Sequence, residues 1–356
     1  MIYLIDLEYV ETRYTAQWKT HLPQILADKT AQNVTVIEGP ELESDMSSGS
    51  FLDFGATNIY KSAQTAQISQ FFKNDEIKDG DHFLFADAWH PGIINLKYMA
   101  DLLDKDITIH ALWHAGSYDP HDFLGRKIGN KPWVRHTELA YFDAIDRNYF
   151  ASSFHINMFV NTLFPNLGHS AIDYVNNKIV RTGWPMEYLQ EQLSFSSGYK
   201  KENLILFPHR LAPEKQLDIF NDLAMELPQY EWYICQGNNL TKGEYHQLLY
   251  RAKMVFSANL QETLGISCYE ILCAEGMPVV PNRLSYEEMY EDNFLYPSEW
   301  TKDWKSYQKH KEDLKTKIVN LMESYDSNHV KDDIWNNRAM LEEQYFSATN
   351  LYKEFI

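Results

Sequence analysis

Two cations and two carboxylates in the C-terminal half of the chain have the residue types and spacing to do chemistry. Arg210 and Lys215 lie in Phe207-Pro208-His209-Arg210-Leu211-Ala212-Pro213-Glu214-Lys215, directly after an apolar run. Glu262 and Glu270 lie in Glu262-Thr263-Leu264-Gly265-Ile266-Ser267-Cys268-Tyr269-Glu270. Cations at a strand end can neutralise a phosphate, and carboxylates accept hydrogen bonds from nearby donors. The elements that must position these groups are legible between Lys253 and Asn282. Met254 to Ala258 reads as a short strand, Asn259 to Leu264 as a polar loop and Ile266 to Ala274 as an amphipathic helix. Gly276 stands where a helix end wants a residue tolerant of positive φ, and Pro278-Val279-Val280 restarts a strand. This order puts a helix N-terminus at the carboxyl edge of a sheet, where the N–H groups of Thr263, Leu264 and Gly265 would favour a phosphate. The plain alternatives are a surface ion pair of the cations with Glu214 and an exposed helix position for Glu270. The apolar neighbours Ile271 and Leu272 favour partial burial of Glu270 against a ligand.

These two segments resemble the motifs of retaining GT-B glycosyltransferases, family 4 especially. Glu262 and Glu270 match E-x7-E, Arg210 and Lys215 match the strand-end R-x4-K, and the two motifs keep that family's order and spacing. The resemblance implies an α/β architecture of two Rossmann-like domains facing a central cleft. Residues 1–187 would form the acceptor domain, 188–334 the nucleotide-sugar domain, and 335–356 a C-terminal helix returning to the first domain. It implies metal-independent transfer with retention, a nucleotide-sugar co-substrate (a UDP-sugar foremost) and no further cofactor. Arg210 and Lys215 would neutralise the diphosphate, Glu262 would hold donor-sugar hydroxyls, and Glu270 the ribose. His114, after a strand of the first domain, aligns with a family histidine that faces the donor sugar; a lone histidine is also commonly a satisfied structural residue.

A chain of 356 residues is long enough for two domains with substantial cores, and 44% hydrophobic and 14% aromatic residues fit a packed enzyme. A formal charge of −18 disfavours indiscriminate binding to nucleic acid or anionic membrane, without excluding a local basic site. Cys235, Cys268 and Cys273 are too few and scattered for a disulfide framework or zinc cluster. Neither a signal peptide nor an apolar run of membrane-spanning length is visible, so the expectation is a soluble cytoplasmic protein of undetermined oligomeric state.

In the N-terminal half, Ile2 to Leu7 reads as a central strand and Ala16 to Ala27 as a helix. The loop between them lacks glycine, so acceptor contacts there would come from Arg13 and Tyr14. Pro40 to Gly55 reads as a loop, Ser62 to Phe72 as a helix and His82 to Ala86 as a strand. Asp79-Gly80-Asp81 spells D-x-D, but Asp-Gly before a strand is a turn at the edge away from ligand. Asp87 and Asp119 follow later strands, where each could take a proton from an acceptor hydroxyl or simply cap a turn. Gly125 to His136 holds Arg126, Lys127, Lys131 and Arg135 with no acid between Asp122 and Glu138. This basic loop either faces phosphates or is solvated. Ser194 to Lys201 reads as the interdomain linker, and Trp335 to Ile356 as the last helix.

The glycine-free first loop, the Trp113-His114-Ala115-Gly116-Ser117-Tyr118 segment and the basic loop also resemble the DNA-modifying glycosyltransferases of T-even-type bacteriophages. That resemblance implies a hydroxymethylated pyrimidine in DNA as acceptor, in the host cytoplasm. The alternatives are a transferase building a surface glycan or glycolipid, and a non-catalytic sugar-nucleotide or DNA-binding protein. The glycolipid reading calls for an exposed apolar or basic docking helix in the first domain, and the sequence shows no convincing one.

Overall fold

The computed structural model describes residues 1–10, 13–41, 53–165, 169–194, 199–237 and 240–356. Parts of the first loop (Glu11 and Thr12), of Pro40–Gly55 and of the linker fall outside the described residues. The chain divides into two compact units, Met1–Pro185 with Ala348–Ile356, and Met186–Ser347, so the boundary falls at Pro185 and the expected linker, Ser194 to Lys201, belongs to the second unit.

The first unit alternates strand and helix: β1 (Ile2–Ile5), α1 (Tyr14–Thr30), β2 (Val34–Ile37), α2 (Phe54–Lys73), β3 (His82–Phe85) and α3 (Gly92–Leu102). It continues with β4 (Thr108–Leu112), α4 (Phe123–Ile128), α5 (Pro132–Ala144), β5 (Arg147–Phe150), α6 (Ser153–Leu163), α7 (His169–Lys178) and β6 (Ile179–Arg181). All strands pair in parallel in the order β2-β1-β3-β4-β5-β6. A parallel sheet is covered on both faces, which is why Phe83-Leu84-Phe85 is apolar without alternation and fully buried. Trp113, just past β4, packs on Phe150 and Phe159 in this core and donates its indole N–H to Asn148 at 2.8 Å.

The second unit runs α8 (Tyr188–Leu193), β7 (Glu202–Phe207), a 3-10 turn (Pro213–Lys215), α9 (Leu217–Glu226), β8 (Glu231–Ile234), α10 (Lys242–Arg251) and β9 (Ala252–Phe256). It ends with α11 (Ile266–Cys273), β10 (Met277–Pro281), α12 (Tyr286–Met289), β11 (Leu295–Tyr296), α13 (Trp304–Ser324) and α14 (Asn328–Gln344). Its sheet is also all parallel, ordered β11-β10-β9-β7-β8, so the strand order reverses between β7 and β9.

Several expectations shift. The left-handed residue after α11 is Glu275 (φ 63), not Gly276. Glu275 N–H bonds Leu272 O and Gly276 N–H bonds Ile271 O, which closes the helix with a Schellman turn. Gly276 is small for another reason, because a Cβ there would meet Ile271 and the Ala252 carbonyl. The supposed basic loop is largely helical, in α4 and α5. Asp122 caps α4, Pro132 occupies the first turn of α5, and Gly125 is required where the Asp119 carbonyl lies against it. The span from Trp335 is not one helix either. α14 stops at Gln344 in the second unit, and a short α15 (Thr349–Lys353) belongs to the first unit. There Arg147 pairs with Glu354 at 2.8 Å, and the Phe355 ring packs on His82 and His110. No helix among the described residues is long and apolar enough to cross a membrane.

Several histidines are held neutral by burial inside the units, among them His90, His110, His155 and His209. Burial lowers His90, which bonds Gln64 and the Gly92 N–H, to about 3. It does the same to His155, bonded to the Tyr118 hydroxyl at 2.6 Å, and to His209. Below their ordinary value of 6.5 the unfolded chain takes up protons that the folded chain refuses, so stability must fall as pH drops from 6.5 toward 3. Each histidine contributes up to about 1.4 kcal/mol per pH unit. Urea denaturation at a series of pH values checks this: His155→Gln should remove one histidine's share of the slope, and a stability that is flat below pH 6.5 would contradict the neutral assignment.

Candidate functional site

In α/β sheets of this kind, loops at the carboxyl ends of strands on either side of an order reversal form the ligand crevice. In the second unit those loops follow β7 and β9, and they carry the residues singled out above. After β7 the chain turns through Pro208, His209 and Arg210 into the 3-10 turn, with Ala212 N–H bonded to Arg210 O and Lys215 N–H to Ala212 O, both at 2.9 Å. Arg210 does pair with Glu214 (2.5 Å), as the plain alternative had it, but Glu214 is buried, so the pair is not a loose surface contact. The Glu214 carbonyl in turn accepts the Leu260 N–H at 2.8 Å, tying the β7 loop to the β9 loop. Lys215 crosses the same boundary. Its buried ammonium donates to Gln261 O at 2.6 Å and approaches Glu262 Oε2 at 3.4 Å.

Glu262 is fixed from three sides: by Lys215, by the Asn259 amide at 3.4 Å and by the Thr263 N–H at 3.2 Å. Burial alone would raise its pKa. Lys215 and His209 nearby, with the two hydrogen bonds from Lys215 and Thr263, outweigh burial and hold the carboxyl below its ordinary value. The Thr263 N–H, expected to face a phosphate, is thus given to the neighbouring carboxylate. Gly265, at φ 81, forms the N-cap of α11, where any Cβ would sit 2.8 Å from the Tyr286 ring. The Tyr286 hydroxyl lies 3.0 Å from the Asn259 amide and 3.2 Å from Ser257 Oγ, so one buried group supports both the turn and the Glu262 bracket. Leu264 is buried beside it. Glu270, on α11, is 4% exposed, with Lys242 Nζ at 2.6 Å from one oxygen and the Tyr245 hydroxyl at 2.9 Å from the other.

The first-unit residues lie apart from this set in the chain. His114 accepts from the Tyr14 hydroxyl at Nδ1 (2.6 Å) and donates from Nε2 to Ala86 O (2.5 Å), within a cluster of Tyr14, Trp18 and Trp184 rings. Burial lowers its pKa, against the pull of Asp87. Asp87 binds Lys61 at 2.6 Å and accepts the Trp89 N–H; Lys61 and His114 outweigh burial and bring it to about 2. Asp119 accepts the His121 N–H at 2.9 Å in a turn. Arg13 occupies the N-cap position of α1 by its backbone, and its guanidinium lies 5.9 Å from the Tyr14 ring centre. Arg126 donates to His121 O, Lys127 lies 5.9 Å from the centre of the Phe123 ring, and Arg135 donates to Leu163 O at 3.1 Å. All three and Lys131 are exposed, beside an exposed Trp133. Asp79 and Asp81 accept N–H groups of Asp106 and Lys78, fixing the turn before β3. Among the described residues no group of three or more His, Cys, Asp or Glu is arranged to hold a metal.

No protein-family model matches the chain, and no curated protein is detectably similar to it. Solved structures do match. Sucrose-phosphate synthase from Thermosynechococcus elongatus superposes with TM-score 0.62 at 9% identity, over 99% of this chain and 97% of that one. Anabaena HepE in complex with UDP matches at TM-score 0.55 and 11% identity, over 99% and 97%. The pneumococcal O-GlcNAc transferase GtfA, in complex with UDP and GlcNAc, matches at TM-score 0.53 and 15% identity, over 82% of this chain. The present chain spans 58% of the length of GtfA. These neighbours share the GT-B fold. The chain has the GT-B fold: two parallel-sheet α/β units.

Sequence reasoning did not find Lys242, Tyr245, Asn259 or Tyr286. Lys242 and Tyr245 had a detectable signal, a cation and an aromatic three apart on a helix that follows a glycine turn. Gly265→Ala should cost about 2 kcal/mol, from the left-handed backbone and the Tyr286 contact together, read as a lower urea midpoint with an unchanged slope. A variant as stable as the parent would show that the turn relaxes freely.

Proposed function

We propose that this chain is a retaining, metal-independent glycosyltransferase that moves a sugar from a nucleotide-sugar, a UDP-sugar foremost, to an acceptor hydroxyl. The observation that carries the reading is the convergence of Arg210, Lys215, Glu262 and the N-terminus of α11 on the β7–β9 reversal of one parallel sheet. Breaking the bond from the anomeric carbon to the diphosphate leaves its electron pair on the departing phosphate. Arg210, Lys215 and the N–H groups of Leu264 and Gly265 offset that charge, each donor being worth on the order of 10²–10³ in rate. The acceptor oxygen bonds the same face of the anomeric carbon, and its proton passes to the departing phosphate oxygen. Glu262 orients donor-sugar hydroxyls, and Glu270 the ribose.

The favoured acceptor is a hydroxymethylated pyrimidine in DNA, phage DNA foremost. Arg126, Lys127, Lys131 and Arg135 support it, being exposed beside Trp133 in a chain of net charge −18. Basic groups hold the backbone while an aromatic can stack at an extruded base. In this reading Arg13 and Tyr14 contact the acceptor, His114 faces the donor sugar, and Asp87 and Asp119 hold the loops beside them. A second reading, a transferase acting on a glycolipid or surface glycan, gains an observation that the sequence did not offer. Ile94, Tyr98 and Leu102 are exposed at helical spacing along α3, an apolar stripe suited to a lipid surface.

Incubation with a panel of nucleotide-sugars and with hydroxymethylated or plain DNA, read by mass, tests both. One hexose or pentose mass should be added to hydroxymethylated DNA alone. Turnover of donor with lipid acceptors only would favour the second reading, and no donor turnover with any acceptor or with water would sink the enzyme assignment. Glu262→Gln should lower turnover about 10²-fold in a protein that still folds but melts at a lower temperature, because buried Lys215 loses its counter-charge; near-normal turnover would remove Glu262 from the donor site.

A further inference from the structure

Glu270 is the least explicable of the candidate residues if its surroundings are ignored. A carboxylate that is 4% exposed loses nearly all its hydration and needs partners for both oxygens. It has one on each. Lys242 Nζ is 2.6 Å from Oε1, and the Tyr245 hydroxyl is 2.9 Å from Oε2. Lys242 and Tyr245 sit three apart in the first turns of α10, so they share a face, and a capping box between Thr241 and Glu244 fixes the start of that helix. The Lys242 ammonium also lies 5.1 Å from the centre of the Tyr245 ring, which aligns the two donors with each other. The carboxylate therefore cannot rotate without breaking a charge-assisted bond at one end or the other.

A carboxylate has about four acceptor positions, and two donors leave one on each oxygen. Two acceptor positions set side by side in a rigid plane match two neighbouring hydroxyls on one face of a five-membered ring. We propose that Lys242 and Tyr245 are positioning residues that lock Glu270 as a two-pronged acceptor for the ribose 2′- and 3′-hydroxyls. The site then selects a ribonucleoside diphosphate over its 2′-deoxy counterpart. The inference rests on the donor-site reading of the second unit and deepens it. A mere clip between α10 and α11 makes a different demand, since it would affect stability and would weaken both nucleotides equally.

The lock acts by geometry as well as by charge. Tyr245→Phe removes one hydroxyl, keeps the ring beside Lys242 and leaves the Glu270 carboxylate free to turn about its remaining bond. Lys242→Met removes the charge, whereas Lys242→Arg keeps it and can still reach the same oxygen.

The test is calorimetric titration of the full chain with UDP, ADP and GDP and with their 2′-deoxy forms, alongside thermal melts. The parent protein should bind at least one ribonucleotide on the order of tenfold tighter than its deoxy form, as expected for losing one hydrogen bond to a charged group. Tyr245→Phe and Lys242→Met should bring that ratio to within about threefold, and Lys242→Arg should restore most of it. An unchanged ratio in a folded Tyr245→Phe protein overturns the proposal while leaving the donor site standing. Equal weakening of both nucleotides identifies a structural clip and also overturns it. A parent protein that binds no nucleoside diphosphate removes the donor site itself, and the proposal with it. Should Lys242→Met fail to fold, the Tyr245→Phe and Lys242→Arg pair decides the question alone.

Discussion

The second unit depends on holding Lys215 and Glu262 together at the carboxyl end of its sheet. Each is costly to bury by itself, and each makes the other tolerable. The Lys215 ammonium takes the Gln261 carbonyl as well as the Glu262 carboxylate, so it stitches the loop after β7 to the loop after β9. The backbone bond from Leu260 to Glu214 repeats that stitch a few residues away. Remove these crossings and two adjacent strand ends lose what keeps them in register above the sheet. The order reversal supplies the location, because neighbouring strands there send their following helices to opposite faces and leave a gap between the loops.

A cationic slot in a strongly acidic chain needs its acids placed with care. Arg210 is countered by buried Glu214, Lys215 by Glu262, and Lys242 by Glu270. Each of these three cations is therefore oriented by a carboxylate of the same unit, whereas Arg283, just past β10, is held by the Asn259, Ala258 and Ser298 carbonyls. A pair of this kind contributes little stability after desolvation, so its benefit is geometric. It fixes where positive charge points before any anion arrives. The lowered pKa of Glu262 belongs to the same arrangement: burial pushes it up, and nearby Lys215 and His209 with the hydrogen bonds from Lys215 and Thr263 bring it below its ordinary value.

The sheets were the most legible part of the sequence. Apolar runs such as His82–Phe85 and Leu204–Phe207 could be read as buried parallel strands because they lack alternation, and the loops carrying Arg210, Lys215 and Glu262 follow from where those runs end. Helix ends were harder. At the end of α11 the glycine was visible, but the positive φ falls one residue earlier, on Glu275, since glycine there answers to Ile271 and the Ala252 carbonyl. In Gly125 to His136 the glycines and proline look like loop punctuation. Gly125 instead permits close approach of the Asp119 carbonyl, and Pro132 begins a helix. The pairing of Glu270 with Lys242 and Tyr245 was not legible for another reason. Periodicity says which face of α10 is polar, but not which element that face will meet.

The same distinction separates fold from chemistry in this chain. At 9–15% identity to these structural neighbours, few side chains are shared while the fold is, because a parallel sheet asks only for apolar volume and short turns. A site asks for more. His209 stands buried and neutral between β7 and Arg210, its Nδ1 3.5 Å from Asn259, in the path between the sheet and the charged loop. Asn259 reaches on to Glu262 and to Tyr286, and Tyr286 fills the space that Gly265 leaves open. Changing any of these would move Glu262 before it disturbed a strand. The polar layer beneath the loops, and not the loops' own motif residues, therefore sets how accurately the cations and carboxylates are placed.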